Sequence, residues 1–372
     1  MKKTIAFLLI FTLLCVSCFA APQIKCKSAL LMEQSTGKVL FEHNSREKLP
    51  PASVTKVMTM LLTMEAIDGG NLKYDDIVIA SERAKSMGGS TIFLDAGEEI
   101  SVNDLLKGIA VASGNDACVA IGEHIAGGES DFVMLMNNRA KELGMEDTTF
   151  HNTNGLPAEG HVTSARDIAL MSRELLKHED IFKYTTIWTD SLRNGEFGLA
   201  NTNKLIRFYS GANGLKTGST DEAGFCISAT AKRDDMQLIA VVMGSETSTD
   251  RFESAKAMLD FGFANYCIVR PADKVKLSEG VRVLKGESEL IKIELDKGFE
   301  TLIEKNRKKD IKGEVKLPEN VTAPVKKGDK IGEVEFKTGG EILGKCSIIA
   351  AEDVNKKGFA KLYLEVLRDW LR

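Results

Sequence analysis

Two apolar runs, Ser28–Glu33 and residues 39–42, flank the turn Ser35-Thr36-Gly37-Lys38, which predicts a β-hairpin near the N-terminus. Pro50-Pro51 stops whatever precedes it. Over residues 53–67 the apolar positions Val54, Val57, Met58, Leu61, Leu62, Met64 and Ile67 fit a well-buried helix, which Gly69-Gly70 ends. Ser101 with Asp104 three residues on reads as an N-cap opening a helix over 105–111. Further helices are predicted over 116–125, 131–143 and 165–176, the last behind the cap Ser164 with Asp167. Residues 226–231 and 238–243 read as strands around a turn, and 249–263 as a helix. Helices gathered between terminal strands predict an α+β domain with an antiparallel sheet.

After Arg270 the pattern changes. Val281–Leu284 and residues 291–295, 313–316, 330–336 and 346–350 alternate apolar and polar positions between Gly and Lys/Asp turns, which predicts a small all-β domain over 271–357. The last residues change it again: Phe359, Leu362, Tyr363, Val366, Leu367, Trp370 and Leu371 recur at three and four residues. They form one stripe on a C-terminal amphipathic helix over 358–372. Such a stripe either packs on the β domain or lies on a membrane surface with Trp370 at headgroup level.

The N-terminus sets the compartment. Lys2-Lys3, an apolar run over 4–16 and Cys18-Phe19-Ala20 form a secretory signal peptide cut after Ala20, so residues 1–20 are removed and the protein is exported. Cleavage ahead of Cys18 as a lipoprotein is disfavoured, because Cys15-Val16-Ser17 makes a poor lipobox. The remaining cysteines, Cys26, Cys118, Cys226, Cys267 and Cys346, are odd in number and widely spaced, which fits neither a disulfide framework nor a zinc site. The chain of 372 residues has ordinary globular composition, with 43% hydrophobic and 27% charged residues, and that excludes a largely disordered protein. A net charge of -4 argues against nucleic acid as partner. That charge is unevenly spread, net acidic through Arg270 and net basic from Pro271, in keeping with two modules.

No Walker loop, dinucleotide fingerprint or H-E-x-x-H segment occurs, and no metal or cofactor is expected. The five histidines, His43, His124, His151, His161 and His178, are scattered, and no G-x-S-x-G elbow supports a Ser-His-Asp triad. A different serine constellation is present. The pattern S-x-x-K occurs at Ser35–Lys38, Ser45–Lys48 and Ser53–Lys56, but only the third opens a helix, where a spacing of three puts both side chains on one face. S-x-N occurs as Ser101-Val102-Asn103, already explained as a cap, and as Ser113-Gly114-Asn115 after an apolar run. K-T-G occurs at Lys216-Thr217-Gly218, leading into a strand, and at Lys337-Thr338-Gly339 in the basic β module. The ordered set, with Asp in its middle member, marks β-lactamases and penicillin-binding proteins.

The residue types match the chemistry. A serine hydroxyl needs a base within hydrogen-bond reach. Lys56, one turn along, serves when neutral, and burial or a second cation such as Lys216 lowers its pKa. Ser113 would bridge toward the leaving amine and shuttle its proton. Backbone N–H groups at the helix N-terminus face a developing oxyanion.

From the signal peptide to the C-terminal helix, the chain resembles the low-molecular-mass penicillin-binding proteins that act as serine-type D-alanyl-D-alanine carboxypeptidases. Pro51-Ala52-Ser53-Val54-Thr55-Lys56, Ser113-Gly114-Asn115 and Lys216-Thr217-Gly218 match that family's motifs. The segments 151–157 and 161–167 look like its connecting segments. The resemblance implies a transpeptidase-like, β-lactamase-type α+β fold over 21–270. It implies an acyl-enzyme on Ser53, an oxyanion hole from the N–H groups of Ser53 and Ser219, Lys216 and Thr217 on the substrate's terminal carboxylate, and Asn115 on its amide backbone. The implied partners are a peptidoglycan stem peptide ending in D-Ala-D-Ala, β-lactam antibiotics that acylate the same serine, and a membrane surface through the C-terminal helix. Ser219 departs from members that carry His there, which bears on fine substrate preference. A class A β-lactamase is the rival enzyme, but no E-x-x-L-N segment lies between Ser113 and Lys216. A protein that only binds would not need the intact serine–lysine pair.

Overall fold

The computed structural model describes residues 21–371; the expected leader over 1–20 lies outside the described residues. A five-stranded antiparallel sheet is built from β1 (Ser28–Glu33), β2 (Val39–His43), β3 (Ala212–Thr220), β4 (Gly224–Arg233) and β5 (Met236–Ser245), in the order β2-β1-β5-β4-β3. Every residue of β5 is buried, because both faces of the sheet are covered. Ile239, Val241 and Met243 face a large helical cluster, while Leu238, Ala240 and Val242 face Phe252, Ala255, Met258 and Leu259. That two-sided burial makes the strand read as an unbroken apolar run rather than an alternating one.

The helical cluster centres on α1 (Lys56–Asp68), apolar around its circumference and buried for that reason. Around it lie α2 (Asn115–Ala126), α3 (Glu129–Glu142) and α4 (Ala165–Leu175), while α5 (Ser248–Asn265) covers the opposite face of the sheet. Two expected caps form as read: Ser101 Oγ accepts from Asp104 N at 3.1 Å and Ser164 Oγ accepts from Asp167 N at 3.2 Å. The helix behind Ser101 differs from expectation. It begins at Val102, ends at Lys107 and widens into a π-turn, Gly108–Ala112, before Ser113 turns left-handed at φ 64°. Hydrophobic spacing does not separate a π-turn from an α-turn, so the sequence pattern runs straight through it.

Beyond α5 the chain is β-rich, with cores of its own around Ile291 and Phe336. A three-stranded sheet centres on Val281–Leu284, and a four-stranded one runs Ile293–Leu295, Glu341–Ala350, Lys330–Thr338, Lys312–Lys316. The first strand of this region, Tyr266–Val269, pairs with Thr301–Glu304, slightly ahead of Pro271. A terminal helix, α6 (Phe359–Trp370), leaves Phe359, Tyr363, Leu364, Trp370 and Leu371 exposed. The side chains of Leu362 and Val366, which the stripe includes, lie outside the described residues. Among the described residues no helix is long and apolar enough to cross a membrane.

Candidate active site

The three S-x-x-K segments separate at once. Ser35 sits in the β1–β2 turn, bonded to Glu33, and Ser45 donates to Glu42 at 2.6 Å. Ser53 instead lies in a single 3-10 turn, Ala52–Thr55, that leads into α1. The residue before it, Ala52, holds a left-handed φ of 47°, an uncommon conformation for a side-chain-bearing residue. Its carbonyl accepts from Thr55 Oγ1 at 2.9 Å and fits against Gly155, where a Cβ would lie 1.8 Å from the Ala52 oxygen. Gly155 is therefore obligatory for this turn.

Lys56 is fully buried. Its Nζ donates to Asn115 Oδ1 and to the Asn154 carbonyl, both at 2.7 Å, and lies 2.8 Å from Ser53 Oγ. A neutral amine has two hydrogens and one lone pair, so two fixed acceptors leave the lone pair for the serine hydroxyl. Burial pushes the Lys56 pKa down to about 8, against a smaller upward pull from Cys118 and Asp116.

The other expected residues assemble around this pair. Ser113 and Asn115 follow the π-turn; both are buried, and Asn115 opens α2. The Asn115 carboxamide accepts from Lys56 and donates to Gly88 O, both at 2.7 Å, so it orients the lysine and keeps one N–H and one lone pair for a ligand. β3 is the edge strand of the sheet and lies along the Ala52–Thr55 turn. A Cβ on Gly218 would stand 2.7 Å from Ser53 N and 2.9 Å from Val54 N, which is why the third position of this K-T-G must be glycine. Thr217 is buried and donates to Thr202 Oγ1 at 2.7 Å, while Ser219 next along β3 is exposed. Lys216 is buried with its Nζ on Thr217 O at 2.9 Å; burial, and after it the charge of Lys56, holds its pKa well below the usual lysine value. The second K-T-G has no such surroundings: Lys337 is tied to Glu314 and Glu335, both at 2.8 Å, in a hairpin of the β module.

Two family-model matches decide the family. Residues 16–247 match the model of the D-alanyl-D-alanine carboxypeptidase family, and residues 269–356 match the penicillin-binding protein 5 C-terminal domain. The chain belongs to the D-alanyl-D-alanine carboxypeptidase family. Among curated relatives, D-alanyl-D-alanine carboxypeptidase DacF of Bacillus subtilis is 46% identical over 350 residues, 93% of this chain and 90% of that one. Among solved structures, penicillin-binding protein 5 from Haemophilus influenzae superposes with a TM-score of 0.74 at 30% identity, covering 91% of this chain and 99% of that one. Penicillin-binding protein D2 from Listeria monocytogenes in its ampicillin-bound form covers 64% of this chain and 98% of its own at 32% identity, TM-score 0.59.

This carboxypeptidase also places residues at the site that sequence reasoning missed. His161 is buried, with Nδ1 accepting from the His151 backbone N–H at 3.1 Å; its Nε2 therefore carries the proton and donates to Thr55 Oγ1 at 2.9 Å. Burial, with repulsion from His151, lowers its pKa to about 4, so the chain His161–Thr55–Ala52 O stays intact at neutral pH. Arg251, buried on α5, donates to Gly218 O and Cys226 O at 3.2 Å each and has no carboxylate partner among the described residues. Burial lowers its pKa to about 10. Lys56, Lys216 and Arg251 thus bring three basic groups together around β3, a setting that favours an anion. His161 heads the segment 161–167 but has no role assigned from sequence, Arg251 stands in no motif, and both acquire their partners from far along the chain.

Proposed function

We propose that Ser53 is the nucleophile with which this carboxypeptidase releases the terminal D-alanine of a peptidoglycan stem peptide, and that penicillin acylates the same hydroxyl. The observation that carries this reading is Lys56 Nζ beside Ser53 Oγ at 2.8 Å with two other acceptors already on the amine. Neutral Lys56 takes the serine proton as Oγ attacks the carbonyl carbon of the penultimate D-alanine. The N–H groups of Ser53 and Ser219 receive the oxyanion, supported by the close passage of β3 over Ser53 N. Ser113 passes the proton to the leaving amine, and water then hydrolyses the acyl-enzyme. Lys216, Thr217 and, behind them, Arg251 hold the terminal carboxylate, a charge-assisted contact that selects peptides with a free C-terminus.

In this reading residues 1–20 are an export signal, 21–270 the catalytic module, 271–357 a β-rich module, and the terminal helix an interfacial anchor. The exposed Phe359, Tyr363 and Trp370 on α6 support the anchor. The decisive test is labelling with a tagged penicillin followed by peptide mapping, alongside D-alanine release from a D-Ala-D-Ala pentapeptide. Ser53→Ala abolishes both, while Ser35→Ala and Ser45→Ala leave both intact; label recovered on a peptide lacking Ser53 overturns the assignment.

A further inference from the structure

Phe93 combines two features that a folded protein ordinarily avoids. Its side chain is 72% exposed, and its backbone is left-handed at φ 57°, a genuine outlier for a bulky residue. Its neighbours Ile92 and Leu94 are buried, so the chain turns inward on both sides and leaves this one ring outside.

The peptide groups around it are clamped from two directions. The buried Asp116 carboxylate accepts from Ile92 N at 3.0 Å and from Leu94 N at 3.0 Å. Arg193, anchored by Glu98 at 2.8 Å, donates to Ile92 O at 3.0 Å and Phe93 O at 3.1 Å. The ring itself meets Phe197 edge-on, with centroids 5.9 Å apart. Two charged side chains therefore hold a strained turn whose visible product is an aromatic face in solvent.

That turn belongs to the wall of the catalytic cleft. Asp116 follows Asn115 directly, Ser90 O accepts from Asn115 N, and Gly88 O accepts from the Asn115 side chain, both at 2.7 Å. A Cβ on Gly114 would lie 3.3 Å from Ile92 Cγ2, which puts the residue before Phe93 against the middle of Ser113-Gly114-Asn115. The cations that take the substrate's carboxylate, Lys216 and Arg251, belong to the sheet side, on β3 and α5. A ligand anchored there by its C-terminus offers the helical wall its other end.

We propose that Phe93 is a specificity-determining residue that receives the acyl portion of the substrate, the part N-terminal to the bond Ser53 breaks, by stacking against an apolar or planar group there. The proposal rests on Ser53 being the nucleophile, and its test separates the two. Two penicillins share one nucleus: benzylpenicillin carries a phenylacetyl group on the acyl side, and 6-aminopenicillanic acid carries a bare amine. Phe93→Ala lowers the second-order rate of Ser53 acylation by benzylpenicillin roughly three- to tenfold, the range of one aromatic contact, and leaves the rate with 6-aminopenicillanic acid unchanged. Phe93→Tyr, which keeps the ring, retains the wild-type ratio. Phe93→Gly relieves the left-handed backbone, so it raises the melting temperature while showing the same selective loss. Equal losses on both penicillins make Phe93 a support of the loop, and no loss on either removes the ring from the substrate's path; each outcome overturns the proposal. Wild-type enzyme labelled at a residue other than Ser53 sinks the nucleophile assignment and this proposal with it.

Discussion

In the proposed reaction Lys56 is a base oriented by amide-type acceptors. Its two amide-type acceptors, Asn115 Oδ1 and Asn154 O, are fixed by the π-turn and by the loop before Gly155, so the direction of the remaining lone pair is set by packing. With burial holding its pKa at about 8, the neutral fraction grows with pH and saturates above that value. The acylation rate of the wild type therefore rises about tenfold per pH unit on the acid side and levels off above pH ~8. Stopped-flow acylation by penicillin between pH 6 and pH 10 checks this; a rate flat across that range excludes Lys56 as the base. Ser53, Lys56 and the cleft K-T-G were legible because helix and strand context told them from their decoys. His161 and Arg251 were not, because their partners lie at separations of 106 residues, to Thr55, and 33 residues, to Gly218.

At the scale of elements, the site is the seam between an edge strand and a helix start, and Gly218 sets its width. Gly218→Ala puts a methyl 2.7 Å from Ser53 N and 3.0 Å from Pro51 O, both backbone atoms that cannot swing aside. The strand must then retreat from the turn. Acylation and D-alanine release fall by at least about a hundredfold, the scale of losing an oxyanion donor, while the fold persists because β3 keeps its ladder to β4. Penicillin labelling beside a thermal melt measures both, and labelling at the wild-type rate refutes the role given to this close approach. The strands, caps and main helices of this region follow the sequence pattern closely. The π-turn and the left-handed Ala52, Phe93 and Ser113 do not, since they are held by tertiary contacts against local preference.

For the whole molecule, the catalytic module has its large core, the β-rich region has separate smaller ones, and α6 follows as a terminal segment. Truncation after Gly358 is expected to leave penicillin labelling and the thermal transition unchanged while moving the protein from the membrane to the soluble fraction. With one ring stacked on another at Phe359 and Tyr363 and Trp370 exposed, attachment through the proposed anchor would rest on apolar burial and resist salt washing. Aggregation or loss of the transition on truncation assigns the helix to the core.

If Lys216 takes the substrate's carboxylate as proposed, the crowding of Lys56, Lys216 and Arg251 makes proton uptake part of substrate capture. Lys216 is held far below its ordinary pKa by burial and by a like charge. An arriving carboxylate reverses that balance and pulls the ammonium's pKa back up, so ligand and proton enter together over the pH interval between the two values. Titration calorimetry of Ser53→Ala with a D-Ala-D-Ala peptide should then give heats that scale with the ionisation enthalpy of the buffer. The same peptide capped as its C-terminal amide gives buffer-independent heats. If the free-acid heats also ignore the buffer, the carboxylate settles without recharging Lys216.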